Sequence, residues 1–158
     1  YLDCCGRLAA AGLAQYEISH FARPAYESRD PLRYRQRGDY LGIGAAAHSF
    51  FEGVRRFFPA DRAAFQTLAA QPEIGWIDDE PVNEAEEVLM LSLRTAAGCP
   101  MDALAACAGS AAAKQIGNQL AALIPAGYAV QNADGYALTP KGMLVSNTIL
   151  SDLMMALN

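Results

Sequence analysis

Four arginines fall within nine residues, at Arg29, Arg33, Arg35 and Arg37, with Tyr34 and Tyr40 beside them. The chain then enters a small-residue loop, Gly42-Ile43-Gly44-Ala45-Ala46-Ala47, closed by His48 and Ser49. Guanidinium forks match carboxylates and phosphates in shape and charge, and tyrosine faces suit flat ligands. A loop of glycine and alanine lets backbone approach closely whatever it covers. Together these features describe a site for an acidic, flat or phosphorylated ligand. Each also has a plainer account, a tight strand-to-helix turn for the loop and a solvated polar segment for the arginines. His20 sits on an alternating stretch and reads as structural, and two histidines are few for a metal site. Cys4, Cys5, Cys99 and Cys107 have neither CxxC spacing nor the three-cysteine run of an iron–sulfur site, so no metal ligand and no catalytic residue is expected. Cys99 and Cys107 read as small core residues.

The elements that must position these groups follow from periodicity and punctuation. Leu2, Cys5, Ala9 and Leu13 have helical spacing that ends near Gly12, and Gln15 to Phe21 alternates as one short strand. Pro24 and Pro31 predict a loop from Ala22 to Gly38, Asp39 to Ile43 a short strand, and Phe50 to Phe58 two extended pieces broken at Gly53. Asp61 precedes a helix carrying Ala64, Phe65, Leu68 and Ala69 and stopped by Pro72; Glu73 to Pro81 then reads as a junction, with Trp76 and Ile77 packed into it. Beyond it the signals sharpen. Asn83 caps a helix with Glu84, Glu86 and Glu87 at its start, Arg94 at its end and Ala85, Val88, Leu89 and Leu93 on its apolar face, flanked by Met90. Pro100 to Ala108 and Ala111 to Ile124 form two more helices, the second with Ile116, Leu120, Leu123 and Ile124 on one face. Tyr128 to Gln131 and Tyr136 to Leu138 flank a hairpin turn, and Thr139-Pro140 opens a last helix with Val145, Ile149, Leu153 and Leu157 on one stripe. Three helices, a hairpin and a closing helix is a winged-helix-like order.

At 158 residues and 53% hydrophobic, the chain can bury one sizeable core or two small ones. No apolar run approaches the ~18 residues that cross a bilayer, and the start carries no secretory pattern, so a cytoplasmic location is expected. The net charge of −5 is uneven: Tyr1 to Asp79 holds nine arginines against ten acids, Glu80 to Asn158 three basic residues against seven. Winged-helix readers of nucleic acid neutralise several phosphates, whereas here only Arg94, Lys114 and Lys141 are basic after Glu80, so no nucleic-acid partner is expected.

Four blocks, "QYEISHFARPAYESR", "DYLGIGAAAHS", "EEVLMLSLRTAAG" and "LTPKGMLVSN", occur in the order in which they resemble the C-terminal part of coproporphyrinogen III oxidase-like radical SAM proteins. The resemblance is to the HemN/HemW family and within it to the HemW type. It implies an α+β fold, with residues 1–58 the end of an open (β/α) barrel, 59–80 a helix and linker, and 81–158 a helical, winged-helix-like C-terminal domain. It further implies that the cluster-binding cysteines and the SAM loop lie in a missing N-terminal barrel half. SAM, a 4Fe–4S cluster and heme would then belong to the whole protein, and this part would hold no cofactor by itself. The implied role is heme chaperoning; the alternative is an oxygen-independent coproporphyrinogen III oxidase, and a nucleic-acid-binding winged helix is a distant third. By the same resemblance Gly42, Gly44, Ala47 and His48 lie beside SAM. Arg29, Arg33, Tyr34 and Arg35 become candidates for gripping a porphyrin by its propionates and face. The family's HNxxYW heme segment is replaced here by Asp30-Pro31-Leu32-Arg33-Tyr34-Arg35, in which only the tyrosine remains, and aspartate and proline do not replace a histidine on iron.

Overall fold

A helix, α1 (Leu2–Ala10), opens the chain and gives way at Gly12, whose φ of +79° turns the backbone out of the helix. The computed structural model describes residues 1–35, 37–71, 75–81 and 83–157, with backbone alone at residues 30–32. The stretch expected as one strand is a hairpin, β1 (Ala14–Glu17) with β2 (His20–Ala22). It turns at Ile18-Ser19 because the Ser19 amide donates back to Glu17 Oε2 at 2.9 Å, a local bond that alternation alone does not reveal. The predicted loop over 22–38 contains a short helix, α2 (Arg29–Arg35). Pro31 falls in its first turn, where a backbone N–H has no helical partner in any case, so it starts this helix rather than breaking it.

Next comes the hairpin of β3 (His48–Phe51) and β4 (Val54–Phe57), turned by Glu52 and Gly53 at positive φ. Of the strand expected at Asp39 to Ile43, only Tyr40 pairs, with Phe50. The Gly42 amide is taken instead by Ser49 Oγ at 3.0 Å, which bends the chain away from a ladder. Asp61 caps α3 (Arg62–Ala69) by accepting the Ala64 amide at 2.8 Å. Pro72, expected to stop it, and residues 73 and 74 of the expected junction lie outside the described residues. The rest of that junction is not merely a connector, since β5 (Ile77–Asp78) extends the sheet at β4 and Trp76 meets Phe58 edge-on.

Asn83 Oδ1 accepts the amides of Ala85 and Glu86 and so starts α4 (Glu84–Ser92). This helix ends before Arg94, so the arginine lies beyond its last turn and not within it as expected. Ala85, Leu89 and Leu93 are buried as their spacing predicts, but Leu91 and Glu87 are buried too. β6 (Cys99–Pro100), α5 (Met101–Ala108), α6 (Ser110–Ala122), β7 (Ala129–Gln131) and β8 (Gly135–Leu138) follow, with sheet order β6-β8-β7. Helix, strand, two helices and a hairpin returning to the first strand make the winged-helix-like order. Gly98, at φ +77°, leaves no room for a Cβ, which would run into the Tyr136 carbonyl oxygen.

The expected closing helix is two. Thr139 Oγ1 caps α7 (Pro140–Leu144) by accepting the Gly142 amide at 3.1 Å, Val145 leaves helical geometry at φ −114° and ψ 21°, and α8 (Ser146–Met154) runs on. Gly142 lies so close to the Tyr128 carbonyl that α7 must rest on the hairpin, whereas α8 packs on α4; one straight helix cannot do both. The core joins Leu89, Leu93, Leu104, Ile116 and Leu120 to Ile149, Leu150 and Leu153 of α8.

The chain forms two units, Tyr1–Gln36 with Asn83–Asn158, and Arg37–Val82. Every strand pairing among the described residues is antiparallel, and no barrel closes among them. No helix among them is long and apolar enough to cross a membrane.

Candidate functional site

Glu17, at the end of β1, is a buried carboxylate, 1% exposed. Its strand is held from outside the hairpin: the Ile18 amide donates to the Arg94 carbonyl at 2.8 Å and the Ala96 amide to the Tyr16 carbonyl at 3.0 Å, so Glu17 faces Thr95. Arg35 donates to Glu17 Oε1 through Nη2 at 2.7 Å and Nε at 3.2 Å. Oε2 accepts the Ser19 amide and lies 2.7 Å from His20 Nδ1, which donates when that nitrogen carries the proton. Burial pushes the Glu17 carboxyl up, but the hydrogen bonds from His20, the Ser19 amide and Arg35 outweigh it and hold the group below the usual carboxylate range. Glu17 is thus a charged hub that ties α2 to the hairpin.

Beside this hub is a cavity of about 610 Å³, bounded by Glu17 to His20, Arg35, Arg94 and the junction of α7 and α8 from Met143 to Thr148. It draws on three of the four sequence blocks, which lie far apart in the chain. Its wall carries one carboxylate and two guanidiniums, besides the imidazole of His20. Among the described residues Arg35 has a counterion, Glu17. Arg94 Nε is buried without a hydrogen-bond partner, and among the described residues no carboxylate pairs with Arg94.

Folding of α2 divides the arginine cluster. Arg29 and Arg33, four residues apart, share one face and are exposed, while Arg35 turns toward Glu17. Tyr34 is 45% exposed. The side chains of Asp30 and Pro31, which stand where the heme segment has its histidine and asparagine, lie outside the described residues.

The glycine loop belongs to the second unit. A Cβ on Gly42 would strike the His48 carbonyl oxygen, and Gly44 has φ +118°, so both glycines are required by the backbone itself. Ala46 also adopts positive φ, at 62°. The amides of Gly42, Ala46 and Ala47 are spent on Ser49 Oγ, the Pro59 carbonyl and the Gly44 carbonyl. The exposed His48 ring stacks on Phe57, with centroids 5.6 Å apart. Three of the loop's amides are thus committed within the protein, while the His48 imidazole is exposed.

Sequence reasoning missed Glu17, Arg94 and the segment 146–148. The signal for Glu17 was its position three residues before His20, within a block that alternation assigned to a single strand. Among the described residues no group of three or more histidine, cysteine, aspartate or glutamate side chains could hold a metal ion, and the cysteines do not fit an iron–sulfur cluster. Cys4 is exposed, Cys5 and Cys99 are buried, and Cys107 is intermediate.

Comparison with known proteins defines the class first. Residues 80–145 match the HemN C-terminal domain. A solved structure described as coproporphyrinogen III oxidase (HemN) from Escherichia coli, a radical SAM enzyme, superposes with a TM-score of 0.64 at 17% identity, over 96% of this chain and 39% of that one. The fold is that of the HemN C-terminal region. Among sequence relatives, the heme chaperone HemW of Escherichia coli (strain K12) is 32% identical over 152 residues, and that of Bacillus subtilis (strain 168) is 29% identical over 146. Both alignments take in 90% of this chain and 38% of the relative, so the chain spans well under half of their length. Its matches fall in the C-terminal part of HemN/HemW-type proteins.

Proposed function

We propose that this chain is the C-terminal part of a heme chaperone of the HemW type. The observation that carries the reading is the run of HemW relatives matched over most of the chain. On this reading residues 1–58 are the end of the barrel, 59–80 a helix and linker, and 81–158 the appended domain. SAM and the 4Fe–4S cluster belong to the portion of such proteins that this chain does not span, with the loop carrying Gly42, Gly44, Ala47 and His48 placed beside SAM. The protein works in the cytoplasm on heme or another porphyrin and not on nucleic acid. Of the three basic residues after Glu80, Arg94 faces a cavity, and Lys141 donates to the Ala126 carbonyl and lies over the Tyr128 ring.

Porphyrin is held by its edges. Arg29 and Arg33 meet propionates and Tyr34 the macrocycle, while Arg35 supports the helix through Glu17. Carboxylate contacts do not depend on iron, so heme and metal-free protoporphyrin should bind with similar affinity. Replacing Arg29 and Arg33 by alanine should weaken both at least tenfold, since each charge-assisted contact is worth about 1.5–3 kcal/mol before solvent screening reduces it. Absorbance titration of both porphyrins into wild type and the double variant tests this. A response to heme alone, untouched by the substitutions, refutes it. Conversion of coproporphyrinogen to protoporphyrinogen by the whole protein would favour the oxidase reading instead.

A further inference from the structure

We propose that the cavity at Arg94 binds a carboxylate carried on an apolar body. Glu17 and Arg35 neutralise one another through two hydrogen bonds, which leaves the Arg94 guanidinium as a surplus positive charge on the wall. No carboxylate among the described residues pairs with Arg94, and its Nε is enclosed without an acceptor, so an anion in the cavity would have to meet the terminal guanidinium nitrogens. The surplus is a single charge. A monoanion satisfies it, whereas a phosphate dianion would bring excess negative charge toward Glu17.

The rest of the wall selects the body of the ligand. Ile18, Met143, Leu144 and Val145 line the cavity together with the cationic groups. Leu144 and Val145 are 56% and 40% exposed. The volume of about 610 Å³ lies within the roughly 300–1,000 Å³ typical of small-molecule sites. Arg94 is also held in position: its carbonyl accepts the Ile18 amide, and the adjoining Thr95 pairs with Glu17. The guanidinium therefore sits on a clamped backbone, one element of a preorganised site.

This assignment does not depend on the heme reading, and its test contains no porphyrin. Decanoate is titrated into the chain by calorimetry below its micellar concentration, with acetate and decanol as the two controls. One decanoate should bind per chain, and acetate and decanol should each bind at least tenfold more weakly. Arg94→Gln should weaken decanoate at least tenfold while leaving the circular dichroism spectrum unchanged. Leu144→Glu, at a position exposed enough to accept the change without unfolding, should weaken it to a similar degree and decides the matter should Arg94→Gln not fold. Failure of decanoate to bind wild type, equal binding of decanol, or decanoate binding that survives both substitutions overturns the proposal.

Discussion

Replacing Glu17 by glutamine changes neither size nor shape, yet it removes the charge on which three elements converge. Arg35 Nη2 and Nε, the Ser19 amide and His20 Nδ1 all point at its two oxygens. A hydrogen bond to a charged group contributes about 1.5–3 kcal/mol, against about 0.5–1.5 for a neutral one, so each of the three partners loses roughly 1 kcal/mol. Glutamine also presents an N–H pair where only acceptors are wanted, and it leaves Arg35, mostly buried, without a counterion. Partial water access to Arg35 and His20 lowers the total, giving an expected loss of about 2–3 kcal/mol in urea unfolding followed by far-ultraviolet circular dichroism. The pH dependence has a definite sign. The folded carboxyl titrates below its unfolded counterpart, so the unfolded chain takes up its proton first. The stability that Glu17 contributes is full above the usual carboxylate range and is lost as pH falls from there through the lower pKa of the folded group. Glu17→Gln should therefore flatten the acid limb of the stability curve. It should also speed hydrogen exchange at Ile18, Ser19 and Ala96, whose amides anchor the hairpin. An unchanged urea midpoint with an unchanged acid limb would show that the hub is no more than a surface ion pair.

Two further outcomes follow from burial and backbone. Gly98→Ala, whose Cβ meets the Tyr136 carbonyl at φ +77°, should lower the urea midpoint more than Gly109→Ala, which at φ +84° and ψ 155° has open space around it and meets only backbone strain of about 1–3 kcal/mol; the difference in urea midpoints checks both. Cys4 should react with a thiol reagent within the mixing period at pH 8, while Cys99, buried and pushed up in pKa by that burial, should react only on unfolding, so fast modification of Cys99 would contradict its placement.

Local chemistry made the C-terminal half legible. Asn83 and Thr139 are caps wherever they precede a helix, because their side-chain oxygens satisfy first-turn amides. Asn132 to Gly135 make a turn because Asn132 Oδ1 accepts the amides of Asp134 and Gly135. The helical spacing of Leu89 with Leu93 and of Ile116 with Leu120 located the core. Nearer the N-terminus the same reasoning failed, and for reasons of the same kind. Proline in a first turn and proline in a loop look alike in sequence, so α2 read as irregular. Alternation over Gln15 to Phe21 did not show that Ser19 would fold back on Glu17.

What the sequence determined by itself was therefore whatever depends on a few neighbouring residues: caps, turns, the apolar stripes of α4 and α6, and, through four ordered blocks, kinship with the HemN/HemW family. The tertiary structure alone decided which charges meet. Arg35 and Glu17 are 18 residues apart, Glu17 and Thr95 are brought together by strand pairing, and Val145 breaks the last helix only because α7 rests on the hairpin while α8 packs on α4. Those contacts turn one arginine of a cluster inward, leave Arg94 without a counterion among the described residues and build a cavity from three separate blocks. Partner choice among distant side chains depends on the packing of every element between them, and so it does not appear in any short window of the chain.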